Sequence, residues 1–194
     1  KFVKFQKRNP MELLGKEKYN KPHPVPENSF GKTYGLHREK LEFNIHQHKK
    51  IKKYCKSKKI EYMCSAWDVT SLKQLIRLKM NHIKIPSACN NNYELLSYLF
   101  KYFKGYCHIS LGMTTQKEEK KIYSLAKKYK RLKKLILYAC TSDYPVKHED
   151  VCLLEILRLN KKYSKKIHAI AFSGHHQGIS SDIAAATLGA TWIE

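Results

Sequence analysis

The chain has 194 residues, with 38 lysines and arginines against 16 aspartates and glutamates, so its formal net charge is +22 at pH 7. Because 42% of the residues are hydrophobic and 11% are aromatic, the composition excludes a disordered chain, which combines high charge with few apolar residues. No apolar run reaches the roughly 20 residues of a membrane span, and the first residues do not read as a signal peptide. We expect a globular cytoplasmic domain with a buried core.

The basic excess consists mostly of lysine, since only 5 of the 38 basic residues are arginine. Proteins that read nucleic-acid sequence rely on the arginine fork, so this balance argues against that class and favours lysines on solvated helix faces. A non-catalytic basic protein that binds polyanions is the alternative of a different class. Steeply salt-dependent binding to any nucleic acid would favour it.

The cysteines show neither a CxxC pair nor the dense spacing of a disulfide-rich secreted protein. We therefore expect them to be small buried apolar residues. They are Cys55, Cys64, Cys89, Cys107, Cys140 and Cys152.

Short apolar strands recur along the chain, and each is followed by a polar turn and a helical pattern. After a first strand around Lys4, they are predicted at 60–65, 82–87, 106–110, 135–141, 167–173 and from Thr191. Parallel strands need crossover connections, so this alternation predicts an α/β protein with a parallel sheet. No glycine-rich phosphate loop follows a strand, which favours a (β/α)8 barrel over an open dinucleotide-binding sheet.

Three further patterns predict local structure between the strands. The apolar residues of one amphipathic helix are spaced to share a face; they are Leu72, Leu75, Ile76 and Met80. Thr115 and Glu118 have the spacing of a capping box. The residues Ser180, Ser181 and Asp182 offer a helix N-cap.

The proline-rich segment 15–40 is too irregular for a helix, and we interpret it as a long loop before a helix that begins near Phe43. Long loops inside a compact domain are usually functional or disordered. In a barrel, a loop at this position would cover the substrate.

Hydroxyl residues lie at or near the ends of the predicted strands; they are Ser65, Ser87, Ser110, Ser142 and Ser173. The carboxyl ends of barrel strands meet on the face where barrel enzymes keep their active sites, and a ring of short donors there suits an anionic substrate. Lys4 and Lys84 lie within predicted strands, where a lysine is either an edge residue or a site residue.

Several motifs together resemble the sialic acid synthase (N-acetylneuraminate synthase) family over nearly the whole chain. They are Lys4-Phe5-Gln6, the segment 31–43, Lys84-Ile85-Pro86-Ser87, Ser110-Leu111-Gly112-Met113, the segment 140–145 with Glu149-Asp150-Val151, and Ser173-Gly174-His175 with Gly178. Members of this family are barrel enzymes that condense phosphoenolpyruvate with N-acetylmannosamine or a related amino sugar. They use a divalent metal and release phosphate.

The resemblance implies a role for each candidate residue. Lys4 and Lys84 would bind phosphoenolpyruvate, the five serines would supply donors, and Tyr144 and Asn28 would line the sugar pocket. His175 would bind the metal, Mn²⁺ or Mg²⁺, while His176 would be a bystander. The metal would polarise the sugar aldehyde, C3 of phosphoenolpyruvate would attack it, and water addition at C2 would lead to loss of phosphate.

The resemblance also implies that residues 1–194 are part of a longer protein. They would cover about strands two to seven and the start of strand eight, without the first strand and the C-terminal antifreeze-like domain. The full-length protein would be a homodimer. Cys89 stands where the family usually has an acidic residue that contacts the sugar. The acceptor therefore stays open, with legionaminic or pseudaminic acid synthase and N-acetylneuraminate 9-phosphate synthase as alternatives.

Overall fold

Strands and helices alternate along residues 1–194, all of which the computed structural model describes. The chain divides into a first unit, Lys1–Met80, and a second unit, Asn81–Glu194. The first unit consists of β1 (Phe2–Lys7), α1 (Pro10–Asn20), a 3-10 helix (Pro26–Asn28), α2 (Tyr34–Lys40), α3 (Ile45–Ser57), β2 (Glu61–Ala66) and α4 (Val69–Arg77).

The second unit repeats the same alternation over a longer stretch. It consists of β3 (His82–Ile85), a 3-10 helix (Ser87–Cys89), α5 (Tyr93–Tyr102), β4 (Tyr106–Ser110), α6 (Gln116–Lys128), a 3-10 helix (Leu132–Lys134), β5 (Leu135–Cys140), a 3-10 helix (His148–Asp150), α7 (Leu154–Tyr163), β6 (Ala169–Ser173), α8 (Ser180–Thr187) and β7 (Trp192–Ile193).

In the first unit, β1 and β2 are parallel, with Lys4 opposite Met63 and Gln6 opposite Ser65. The carboxylate of Asp68 joins the end of β1 to the start of α4, because it accepts hydrogen bonds from the backbone N–H of Asn9 (2.7 Å) and of Ser71 (2.6 Å). The turn after the first strand is therefore fixed by a residue that follows the second strand.

The prediction of a loop over residues 15–40 is wrong for half of that segment, because α1 extends to Asn20 and α2 occupies Tyr34–Lys40. Asn9 caps α1 and Pro10 occupies its first turn, while Gly15, at φ +68°, breaks the helical geometry halfway along. The two helices pack closely, and the Tyr19 hydroxyl donates to Glu39 at 2.7 Å. This tertiary contact stabilises helices whose local sequence is irregular.

In the second unit, five parallel strands follow chain order from β3 to β7. The register pairs Lys84 with His108, and Ser110 with Tyr138. Since alternate residues of a strand face opposite sides, these polar side chains share one face of the sheet. The other face packs on the helices through fully buried side chains, among them Leu95, Leu99, Ile109, Ile122, Leu137 and Ile156.

The predicted α/β class is confirmed, and seven parallel strands are consistent with part of a (β/α)8 barrel. The numbering of these strands as two to eight, and a single barrel domain over residues 1–194, stay predictions. Strand β3 ends at Ile85, earlier than predicted, because Pro86 has no N–H to donate and a 3-10 helix follows it.

The two capping predictions have opposite outcomes. The capping box is confirmed, since the Thr115 N–H donates to Glu118 at 2.8 Å and the Glu118 N–H donates to the Thr115 hydroxyl at 3.3 Å. The N-cap predicted over Ser180–Asp182 is wrong, because α8 already begins at Ser180 without a side-chain cap. Ser181 is buried instead, and its hydroxyl lies 3.4 Å from Nδ1 of His148.

All six cysteines are free thiols, and four of them are buried as expected. Burial raises the pKa of Cys64 and of Cys107 to about 12, so both thiols stay protonated at neutral pH. Cys140 is half-buried and Cys152 is exposed, so the expectation is wrong for these two. None of the helices combines the length and the hydropathy that a membrane-spanning segment needs.

Candidate active site

Lys84 is the central charged group of the second unit. It lies in β3 and is only 4% exposed. Its ammonium forms an ion pair with Glu194, lies 3.5 Å from the hydroxyl of Ser173 and is 4.9 Å from the ring centroid of Tyr138. A buried ammonium is costly without partners, and here the ends of β6 and β7 supply them. Lys84 is thus an interior residue and not a solvated edge lysine.

Two hydroxyls on this side of the second unit are buried without a hydrogen-bond partner, those of Ser110 and Ser142. Ser110 is the last residue of β4, and Ser142 follows β5. Buried hydroxyls in folded proteins are normally hydrogen-bonded, so two buried hydroxyls without a partner need an explanation. Two unsatisfied groups at strand ends are ready to bind an oxygen-rich ligand.

Gly112 lies between two of the predicted serines. A Cβ at this position would lie 2.7 Å from the hydroxyl oxygen of Ser87 and still closer to that of Ser142. Ser87 in turn contacts the Cys140 sulfur at 3.6 Å. The absence of a side chain at Gly112 therefore lets these hydroxyls come together at the ends of the strands.

His175 follows β6 and contacts the loop after β5. Its Nδ1 lies 3.1 Å from the carbonyl oxygen of Thr141, and its ring centroid is 4.1 Å from that of Tyr144, which is 76% exposed. A carbonyl only accepts, so Nδ1 donates in this hydrogen bond, and Nε2 is left for contact with another group. Metal-binding histidines commonly have this arrangement.

No group of three or more His, Cys, Asp or Glu side chains in the chain is arranged to hold a metal ion. The residues present therefore do not form a complete metal site, and the role of His175 as a metal ligand stays a prediction. The divalent metal stays a prediction. His176 is buried beside Phe172, with a ring distance of 6.0 Å, and its nearest carboxylate is that of Asp182 at 3.7 Å.

The first unit contains the other three predicted residues. Lys4 is half-buried in β1, and Ser65 is buried inside β2, one residue before its end. The register places both on the same face, since Ser65 lies opposite Gln6. Asn28 is exposed at the end of the 3-10 helix Pro26–Asn28.

Several residues beside Lys84 were missed as site neighbours by sequence reasoning; they are Glu194, Tyr138, His108 and His82. Period-two alternation along β4 and β5 could have identified two of them, because it places His108 on the side of Ser110 and Tyr138 on the side of Cys140. No local pattern predicts the contact of Glu194, which is 110 residues from Lys84 in the chain.

Comparison with known proteins places this arrangement in a family. The model of the NeuB family matches residues 1–194. The chain is 30% identical over 192 residues to N-acetylneuraminate-9-phosphate synthase of Homo sapiens, covering 99% of the chain and 52% of that protein. It is 26% identical over 194 residues to N,N'-diacetyllegionaminic acid synthase of Campylobacter jejuni, covering 100% of the chain and 57% of that protein.

A solved structure shares the fold as well. The N-acetylneuraminic acid (sialic acid) synthetase of Leptospira borgpetersenii, crystallised in complex with citrate, superposes with a TM-score of 0.83 at 26% identity. The match covers 100% of the chain and 61% of that structure. The chain spans about half the length of the curated relatives it matches. Both the family match over every residue and the shared fold lead to one conclusion: the chain belongs to the NeuB family.

Proposed function

We propose that the protein containing this chain is a sialic acid synthase-type enzyme that condenses phosphoenolpyruvate with N-acetylmannosamine or a related amino sugar. The products would be a nonulosonic acid and phosphate. The observation that carries the proposal is the buried Lys84 ammonium on the same side of the unit as the two unpaired hydroxyls of Ser110 and Ser142. A substrate with a carboxylate and a phosphate needs this combination of a fixed cation and free donors.

Each residue of the second unit then has a distinct task. Lys84 neutralises an anionic group of phosphoenolpyruvate, and Glu194 holds the ammonium in place from one side. Ser110 and Ser142 donate to the substrate oxygens, and their hydrogen bonds are completed only when it binds. Ser87 and Ser173 extend the row of hydroxyls. Lys4, Ser65 and Asn28 stay predicted substrate residues on the strength of the resemblance.

The proposed reaction forms one carbon–carbon bond and breaks one bond to phosphate. The C2–C3 electron pair of phosphoenolpyruvate attacks the aldehyde carbon of the open-chain sugar, and the aldehyde oxygen takes up a proton to become a hydroxyl. Water adds at C2 and loses a proton, and the resulting hemiketal phosphate collapses to the ketone with release of inorganic phosphate. The fixed positive charge of Lys84 stays beside the anionic groups throughout. His175 would supply one ligand to the predicted Mn²⁺ or Mg²⁺.

The acceptor sugar has two leading candidates, N-acetylmannosamine and its 6-phosphate. The N-acetylneuraminate-9-phosphate synthases of Homo sapiens, Drosophila melanogaster and Mus musculus are each 30% identical over 192 residues. The legionaminic acid synthases of Campylobacter jejuni and Legionella pneumophila are 26% identical over 194 residues and 29% identical over only 157 residues. A net charge of +22 also favours the encounter with two phosphorylated substrates. Both observations are the reason for including N-acetylmannosamine 6-phosphate beside N-acetylmannosamine.

The test is phosphate release from phosphoenolpyruvate by the full-length protein in the presence of Mn²⁺. Three acceptors are compared: N-acetylmannosamine, its 6-phosphate and a 2,4-diacetamido sugar. We expect release that requires one of the first two sugars. Release only with the diacetamido sugar would show that the acceptor is a 2,4-diacetamido sugar and not N-acetylmannosamine or its 6-phosphate. No release with any of the three sugars from a folded protein would contradict the proposal.

Replacing Gly112 with alanine is expected to weaken phosphoenolpyruvate binding about tenfold, because the new Cβ displaces the hydroxyls of Ser87 and Ser142. The free energy of unfolding should fall by about 1–3 kcal/mol, as for other overpacked sites. Titration calorimetry with phosphoenolpyruvate and urea unfolding measure the two effects.

Gly105 offers a matched control in the same unit. A Cβ there would meet the carbonyl of Asn81 and the ring of Phe103, away from the serines. Gly105→Ala should therefore lower stability while leaving the affinity of the folded protein for phosphoenolpyruvate unchanged. Equal losses of affinity in the two alanine variants would show that overpacking alone explains the result.

A further inference from the structure

A chain of buried polar rings lies on the sheet face that carries Lys84. Nδ1 of His82 and Nε2 of His108 are 2.9 Å apart, and Nδ1 of His108 is 2.9 Å from the hydroxyl of Tyr138. The ring of Tyr138 then lies 4.9 Å from the Lys84 ammonium. The hydrogen-bonded chain thus begins near the start of β3 and ends at the ring that contacts the proposed anion-binding lysine.

Each ring of this chain is deeply buried. His108 is inaccessible to solvent, Tyr138 is 2% exposed and His82 is 8% exposed. Burial lowers the pKa of His108 well below its ordinary value, and neighbouring positive charge acts in the same direction. Burial also raises the pKa of Tyr138, so at neutral pH the imidazole and the phenol are both uncharged.

A neutral imidazole has one donor and one acceptor, and both ring nitrogens of His108 are used here. The proton on His108 therefore decides the direction of both hydrogen bonds. If the Tyr138 hydroxyl donates to Nδ1, then Nε2 donates to His82; the opposite tautomer reverses both bonds. In either case, the hydroxyl oxygen of Tyr138 is held by a residue on the neighbouring strand.

The hydrogen bond between His108 and the Tyr138 hydroxyl also holds the ring of Tyr138 in place. A phenol anchored at its hydroxyl cannot turn or shift away from Lys84 without breaking a buried hydrogen bond. Trp192 of β7 packs edge-on against His108, with ring centroids 5.1 Å apart and planes at 77°. The Tyr138 ring and the Lys84 ammonium attract each other at their separation of 4.9 Å, and more strongly because both are removed from water.

We propose that His82, His108 and Tyr138 form a positioning chain for substrate binding: the two histidines hold the Tyr138 ring, and the ring holds the Lys84 ammonium where the anion binds. This inference rests on the proposed function, because it assigns Lys84 the role of binding phosphoenolpyruvate. None of the three rings is required to touch the substrate. They act through Lys84 and are positioning residues.

An apolar core would fill the same space without burying three polar groups. Polar networks in a core are costly unless every bond is made, and their known use is to specify one geometry. Here that geometry ends at the functional lysine, which supports a positioning role in preference to simple packing.

The test measures the dissociation constant of phosphoenolpyruvate by calorimetry, together with Tm, for variants of the full-length protein. His108→Leu removes the imidazole that is hydrogen-bonded to the Tyr138 hydroxyl, and Tyr138→Phe keeps the ring but removes the hydroxyl. His108→Asn restores a hydrogen-bonding group near the position of Nδ1. We expect the dissociation constant to rise about fivefold to tenfold in the first two variants, as for one lost hydrogen bond. His108→Asn should return it to within about twofold of the wild-type value.

Two reference variants make the result decisive. Ile156→Val, at a fully buried position of α7, reports the effect of a stability loss away from the chain of rings. Lys84→Met reports whether the lysine binds phosphoenolpyruvate at all, and no loss of binding there would remove Lys84 from the site and overturn the positioning role with it; the proposed function itself is tested separately by phosphate release. If Lys84→Met loses binding but Tyr138→Phe and His108→Leu bind as the wild type does, the positioning role is wrong and the proposed function stands. Should His108→Leu fail to fold, Tyr138→Phe decides alone.

Discussion

Replacement of Lys84 with methionine is expected to weaken phosphoenolpyruvate binding at least about 100-fold, because a buried charge-assisted contact corresponds to about 3 kcal/mol or more. Phosphate release should fall at least as far. Methionine keeps the apolar stem that packs inside the second unit. The carboxylate of Glu194 is 24% exposed, so water compensates part of its lost ion pair. We therefore expect a folded variant, which circular dichroism and calorimetry with phosphoenolpyruvate would check together.

A lysine on the surface provides the matched control for this charge change. Lys128 is exposed at the end of α6, so Lys128→Met lowers the net charge equally without touching the site. It should leave the affinity for phosphoenolpyruvate within about twofold. An unchanged affinity in Lys84→Met would remove this lysine from the site, and an equal loss in both variants would assign the effect to overall charge.

Replacement of Glu119 with alanine is expected to have the largest effect on stability, a loss of about 3–5 kcal/mol in the free energy of unfolding. Glu119 is 4% exposed in α6, and its carboxylate joins α6 to α7. It accepts hydrogen bonds from Lys162 at 2.7 Å and Tyr163 at 2.7 Å, and it pairs with Arg158. Its removal leaves the ammonium of Lys162 and the hydroxyl of Tyr163 partly buried without this acceptor, while Arg158 keeps its pair with Glu155. Urea unfolding at pH 7 measures the loss.

The pH dependence of this loss has a definite sign. Burial by itself raises the pKa of Glu119, but the hydrogen bonds of its three partners hold the pKa below its ordinary value of 4.5. A carboxyl group with a lowered pKa in the folded state stabilises the protein above its unfolded pKa and loses that contribution as the pH falls through the folded pKa. The difference between wild type and Glu119→Ala should therefore shrink as the pH falls below 4.5.

Glu155 is a suitable control, because its carboxylate pairs with the same arginine but is 35% exposed. Glu155→Ala should cost less than about 1 kcal/mol, the range of exposed ion pairs. Equal losses in the two alanine variants would contradict the view that burial makes Glu119 the centre of this contact.

The sequence by itself determined the order of strands and helices, because apolar runs of strand length and amphipathic helices are local properties. It also placed Lys84, Ser110 and Ser173 on strands whose carboxyl ends meet, since parallel connection fixes strand direction. The capping box at Thr115 was likewise predictable, because its two residues lie three positions apart.

Contacts between distant residues were decided only by the tertiary structure. Helices α1 and α2 form because Tyr19 packs on Gly35, which no local pattern over segment 15–40 predicts. Glu194, the ion-pair partner of Lys84, is 110 residues away in the sequence. The hydrogen bonds that join the rings of His82, His108 and Tyr138 depend on the register of neighbouring strands. Propensity and periodicity describe a residue within its own turn or strand. A buried charge or imidazole finds its partner only after the core has formed, because removal from water is what makes that partner necessary.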